Sequence, residues 1–249
     1  MIGDQELASV RQLYYSLFVK LLWREPENDF IASLADNIEE RAEGAGKLSP
    51  KLGEGWKRIA KFLKASGPEQ VTDEFTRLYL GPYQPEVVPY ESHYIVGSLF
   101  KEPLIEVREF MKQVGLEKIP DDFKEPEDIL AFEMEIMNWL IDKQLQSKDE
   151  KEEQKWLDRQ SEFLKGHLLV WGPACARDME QAENAQFYNG VAVLMQGLFD
   201  LEEQLFHGMD SRKIETLEQA QKRHGKRRTF KGPTFDPEAA GILSDKPES

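Results

Sequence analysis

The chain has 249 residues, 40% hydrophobic and 31% charged, with a formal net charge of −14. This length and apolar content suit one large or two small folded domains and exclude a disordered chain. One cysteine, Cys175, and four histidines exclude a disulfide scaffold, a cysteine-ligated zinc site and an iron–sulfur cluster, and the acid excess favours a basic partner over nucleic acid.

In chain order the periodic segments read as helices. Leu7, Val10, Leu13, Tyr14, Leu17, Phe18 and Leu21 form an amphipathic stripe that stops before Pro26. Asp29 is placed to cap a short helix carrying Phe30, Leu34 and Ile38, and Gly44, Gly46 and Pro50 mark a loop. Trp56, Ile59, Ala60 and Leu63 make a third stripe, and Val71, Phe75 and Leu78 a fourth after Pro68. Residues 81–97 break the pattern with three prolines and two glycines, and helix resumes from Leu104 to Val114. A second irregular stretch, 115–126, precedes a long helix that Pro126 is expected to open, with Leu130, Glu133, Ile136, Met137, Leu140 and Ile141 on one side. Further helices are expected through Trp156 to Leu168 and from about Ala185 to Phe206. No alternating strand pattern lies between hairpin turns, so the fold class is all-α, a bundle of about ten helices with a hinge loop. The expected organisation is an N-terminal helical region over residues 1–115, a C-terminal helical region over residues 116–209, and a basic, mostly flexible tail over residues 210–249. Residues 1–209 carry a net −16 and residues 210–249 a net +2.

The usual marks of catalysis are missing. Gly44–Lys47 spells GAGK, but a phosphate loop needs a glycine where Arg41 stands and Ser or Thr where Leu48 stands. Glu133 and Glu135 lack the histidine three residues on that a di-iron bundle requires. Cys175 has no marked His or Asp partner and reads as a small buried apolar residue, and His167 as a hydrogen-bonded structural histidine. The expectation is a protein that is not an enzyme and holds no cofactor or metal. The start, MIGDQELASV, has neither a basic nor an apolar leader region, and no apolar run approaches the ~20 residues that span a bilayer, so a cytoplasmic location is expected.

Two segments join prolines, acids and apolar groups at helix boundaries. The first is EFTRLYLGP, Glu74–Pro82, followed by VVPYESHY, Val87–Tyr94; the second is EPEDILAFEMEIM, Glu125–Met137. As residues alone they also suit plain punctuation and capping, with Tyr90 packing. As motifs they resemble the two signatures of the TorD/DmsD/NarJ family of molybdoenzyme maturation chaperones. A third, shorter likeness runs through FLKGHLLVWGPACARDME, Phe163–Glu180, to Phe187-Tyr188. The resemblance covers about residues 5–205, with the three motifs in order.

That resemblance implies an all-helical cytoplasmic chaperone without turnover. It would bind the twin-arginine leader of a molybdopterin oxidoreductase, its apo catalytic subunit, or both, until the cofactor is loaded for Tat export. Carried over residue by residue, the leader-binding positions are Pro89, Tyr90 and Glu91 in the first signature and Pro126 and Asp128 in the second. The family's usual histidine after that aspartate is Ile129 here. Physically, a leader with two arginines and an apolar helix needs carboxylates beside an apolar groove, and Asp121, Asp122, Glu125, Glu127 and Asp128 form a dense acid cluster expected on the surface of the hinge. The implied oligomeric state is a monomer or a domain-swapped dimer. The alternatives are a generic helical adaptor and a nucleotide-binding helical protein. In the tail, Arg227-Arg228-Thr229-Phe230-Lys231 suits a plain basic segment; the alternative is weak docking into the leader groove, because it resembles the twin-arginine motif itself.

Overall fold

A computed structural model describes residues 4–81, 84–119, 124–209 and 211–225. Among them no strand forms, and the chain is an all-α bundle. The helices are α1 (Asp4–Leu22), α2 (Asn28–Leu34), α3 (Ile38–Leu48), α4 (Pro50–Ala65), α5 (Glu69–Phe75), α6 (Glu91–Val96), α7 (Glu102–Val114), α8 (Leu130–Leu145), α9 (Glu150–Phe163), α10 (Leu169–Gln181), α11 (Phe187–Phe206) and α12 (Leu217–Arg223). A π-helical turn, Thr76–Leu80, continues α5, and another, Leu164–Leu168, joins α9 to α10. Both fall inside the signature-like segments, where a π turn re-aims side chains that a regular helix would stagger.

Helix α1 lies on α8 and α4 along α11, but Leu13 of the expected α1 stripe is exposed. One hydrophobic cluster runs from Ala8 to Phe206 and includes both sides of the 115–126 stretch. The α4–α11 seam is close because glycines line it. A Cβ on Gly190 would come within 2.7 Å of Ile59 Cγ1 and 3.0 Å of the Gly55 carbonyl oxygen, and one on Gly197 within 2.9 Å of Leu52. Across the bundle, Arg11 on α1 donates to Glu202 on α11 and to Gln160 on α9, both at 2.8 Å and all buried. A buried guanidinium is tolerated there because carboxylate and amide oxygens meet its donors.

Several local expectations change. Gly44 and Gly46 lie inside α3 instead of a loop, and Gly46 faces Gly53 of α4, where the absence of side chains lets two helix backbones meet. Asp29 sits in the first turn of α2, with Glu27 at the cap position. The long helix begins at Leu130, four residues beyond Pro126, because a turn closed by Ile129 N–H on the Pro126 carbonyl intervenes. Within the irregular stretch 81–97 a short helix, α6, forms between Tyr90 and Gly97, whose φ of 86° ends it. Residues 211–225 belong to the ordered structure through α12, although Leu217 and Ala220 are its only apolar residues. Asp121, Asp122 and Arg227–Lys231 lie outside the described residues. No described helix is long and apolar enough to cross a membrane.

Candidate functional site: the junction of α6 and α8

The two signature-like segments meet. Tyr90 and Ile129 pair as an isolated antiparallel bridge. Glu91 N–H donates to the Asp128 carbonyl, and Leu130 N–H to the Pro89 carbonyl, both at 2.9 Å. Each segment thus supplies backbone partners for the other just before its helix begins, where amides would otherwise be orphaned. The prolines fit because neither has an amide to lose. Ile129 is buried in this bridge.

Asp128 goes inward. It is fully buried, and its Oδ2 accepts both the Ser92 hydroxyl and, at 3.1 Å, the Ser92 amide in the first turn of α6. It therefore caps α6 from another segment, where the helix dipole favours an anion. Its Oδ1 is buried without a hydrogen-bond partner among the described residues. Burial raises its pKa, partly offset by the Ser92 bonds. Glu127 is also buried and pairs with Arg108 at 2.7 Å. The expectation of an acid cluster on the surface is thus corrected for Asp128 and Glu127: one amide end and one guanidinium draw them in. Glu125 does stay exposed.

Glu91 points the same way, 1% exposed, and accepts a hydrogen bond from His167 Nδ1 at 3.1 Å. His167 comes from the π turn after α9. Burial alone would lower its pKa, but the charge and hydrogen bond of Glu91 outweigh that and raise it. Beside them Glu133 is fully buried and accepts from Trp171 Nε1 at 3.0 Å. Burial, and next the Glu91 charge, push the Glu133 carboxyl well up, so it holds a proton far more readily than a free glutamate. Among the described residues no group of three or more such side chains could hold a metal ion.

Above this interior lies a rim. Pro89 and Tyr90 are half-buried, and Pro126 is buried. The Tyr90 hydroxyl donates to Glu125 Oε2 at 2.6 Å, and Lys118 donates to the Glu125 carbonyl at 2.6 Å. Burial and the bond to Glu125 raise the phenol's pKa, so Tyr90 stays a neutral donor. Phe100 is 69% exposed and held at φ 58°, a strained setting for an aromatic residue, in the turn whose Lys101 amide reaches Ser92 Oγ at 3.4 Å.

Sequence reasoning named Pro89, Tyr90, Glu91, Pro126 and Asp128, and the fold brings all five to one junction. It missed the partners Ser92 and Trp171, and did not link His167 or Glu133 to them. The motifs did carry a signal for them: Ser92 lies in the first, Glu133 in the second, and His167 and Trp171 in the third. The other end of the first motif plays a separate role, in which Glu74 accepts the amides of Gln186, Phe187 and Tyr188 at 2.7–3.0 Å and caps α11. Cys175 is buried, its thiol pushed up to about 12 chiefly by burial, which suits an inert core position.

The fold and this junction define an all-helical protein organised around two interlocked chain segments. A family model described as the nitrate reductase delta subunit matches residues 45–177, and the chain belongs to that family, which includes the TorD and NarJ chaperones. It is 27% identical over 183 residues to the chaperone protein TorD of Photobacterium profundum, covering 70% of this chain and 84% of that relative. It is 23% identical over 214 residues to TorD of Aliivibrio salmonicida, covering 82% and 96%. With TorD of Vibrio parahaemolyticus it shares 28% identity over 128 residues, 51% of this chain and 59% of the relative's length. These relatives are named as chaperones, not enzymes.

Proposed function

We propose that the protein is a cytoplasmic chaperone that binds the twin-arginine leader of a molybdopterin oxidoreductase, its apo catalytic subunit, or both. It would hold the client until cofactor insertion and export. The observation that carries this reading is the interlocking of the two signature segments at the Tyr90–Ile129 bridge. It leaves a half-buried tyrosine and an exposed carboxylate side by side on the rim, a pairing suited to an arginine followed by apolar residues. A carboxylate has two oxygens and Tyr90 takes one, so a guanidinium can add to Glu125 without breaking that bond.

In this reading the leader-binding residues divide into two groups. Pro89 and Tyr90 form the contact surface, together with Glu125. Glu91, Pro126 and Asp128 position it: Asp128 holds the start of α6, Glu91 is tied to His167, and Pro126 closes the turn. The N-terminal region, residues 1–115, and the C-terminal region, residues 116–209, would act as one body, since a single core spans both. The test is a pull-down from a native lysate with the full chain as bait. Recovery of a molybdopterin oxidoreductase catalytic subunit is expected, and consistent recovery of unrelated proteins alone would overturn the reading.

A further inference from the structure

The short helix α12 is held by a different kind of contact from the rest of the bundle. Ala220 is fully buried against Ile95 of α6 and Val170 of α10, with Val96 at the edge, while Leu217 and the preceding Ile214 also pack, partly buried, on the main core. The remaining ties are polar. Gln221 Nε2 donates to the Tyr94 carbonyl at 2.9 Å, and Arg223 pairs with Glu215 at 2.9 Å and with Glu106 of α7 at 3.5 Å. His224 Nε2 is buried 3.9 Å from Glu106 and has no hydrogen-bond partner among the described residues, so the fit is incomplete. A segment anchored by one buried alanine and two partly buried residues, Ile214 and Leu217, opens at lower free-energy cost than the core helices.

The face that α12 covers is specific in its chemistry. It presents Ile95, Val96 and Val170, a backbone carbonyl and the Glu106 carboxylate. Beside it a cavity of about 640 Å³ is lined by acids such as Glu106 and Glu109 and by as many cations, Lys165, Arg212 and Lys213 among them. What α12 offers in return is an apolar residue at Leu217, a small one three positions on at Ala220, and a cation three further at Arg223. That is one face of a basic amphipathic helix. The occupied face lies on α6, the same six-residue helix whose N-terminus is fixed by Asp128 in the leader junction.

We infer that α12 is an internal stand-in for the client, occupying a docking face on α6 and α10 that a basic amphipathic segment of the client takes in exchange. This rests on the leader-binding reading and adds a regulatory step to it. Client and α12 exclude one another, so an unoccupied chaperone keeps its apolar face covered. The affinity seen for a client is the intrinsic one reduced by the fraction of molecules with α12 displaced.

The test uses the full chain and a synthetic twin-arginine leader peptide. Ala220→Asp sets a carboxylate against Ile95 and Val170 and expels α12, whereas Arg223→Glu only replaces its ties to Glu106 and Glu215 with repulsion. The peptide is expected to bind Ala220→Asp about tenfold more tightly than wild type, with a smaller gain for Arg223→Glu. Peptide binding to wild type should also speed hydrogen exchange at the Leu217–Arg223 amides. Equal or weaker binding by both variants, with exchange at α12 unchanged by peptide, overturns the exchange model while leaving leader binding intact. No binding by wild type or either variant overturns the leader reading itself.

Discussion

Two contacts between helices in this protein are built on opposite principles. Where α4 meets α11, the chain removes side chains, and Gly55, Gly190 and Gly197 let apolar neighbours and backbone close the gap. Where α6 meets α8, it buries Glu91, Asp128 and Glu133 with one histidine. For stability alone the second choice is poor, since desolvating carboxylates costs more than packing hydrocarbon. What it supplies is geometry. Each buried group has a set donor, and the two segments can meet in one register only, which holds Tyr90 and Glu125 at the rim. In the proposed reading the seam serves the fold and the junction serves recognition, and substitutions should separate the two.

The largest expected effect is at the seam. Gly190→Leu drives a side chain into Ile59 and the Gly55 carbonyl, and overpacking of this kind costs about 3 kcal/mol. Calorimetry should show Tm lower by roughly 2–4 °C for each kcal/mol lost. Leader affinity of the protein that remains folded should be unchanged. An undiminished Tm would mean that the seam is looser than its glycines indicate.

Asp128→Asn should do the reverse. An amide of the same shape keeps one acceptor for Ser92 but loses the charge that favours the start of α6. Leader affinity should fall by about 1–3 kcal/mol in titration calorimetry, with helix content intact. A fall in helix content equal to that of Gly190→Leu would erase the distinction between the two regions.

Glu133→Gln gives a smaller effect whose size depends on pH. The Glu133 carboxyl has a raised pKa in the folded protein, so its protonated form fits the site and its ionised form is costly. Stability is therefore fully present below the unfolded carboxylate value of about 4.3 and is lost as pH rises through the folded value. Glutamine removes that loss while still accepting from Trp171. The variant should match wild type in acid and exceed it increasingly as pH rises, read as Tm against pH. A constant difference at every pH would show that the charge of Glu133 is not what the site resists.

The long stripes were legible in the sequence. The apolar residues of α1 and α4 recur at helical spacing because each buries one face over several turns, whereas α8 and α11 run through the core and bury consecutive residues such as Leu130–Met134 and Gly190–Met195. What escaped were elements too short or too dependent on distant partners to leave a pattern. Six residues between Tyr90 and Gly97 hold less than two turns, and α12 shows only Leu217 and Ala220. Glu74 caps a helix 112 residues away or more, a pairing no local spacing encodes. The positions of the junction came from the motif likeness, whereas the direction of its carboxylates did not. An aspartate in an acidic turn looks solvated until the free amide of Ser92 is known to lie beneath it. The GAGK stretch misled in the opposite way, since Gly46, which marks a loop in isolation, here allows α3 and α4 to touch at Gly53.

The central claim is that the Tyr90–Glu125 rim reads the arginines of a leader. Titration calorimetry of the full chain with twin-arginine and twin-lysine forms of one leader peptide tests it most directly, with Glu125→Gln alongside. The account predicts that wild type binds the arginine form about tenfold more tightly, because guanidinium fits a carboxylate in two-point fashion and ammonium does not, and that Glu125→Gln removes the difference. Equal affinity of wild type for the two peptides would contradict it.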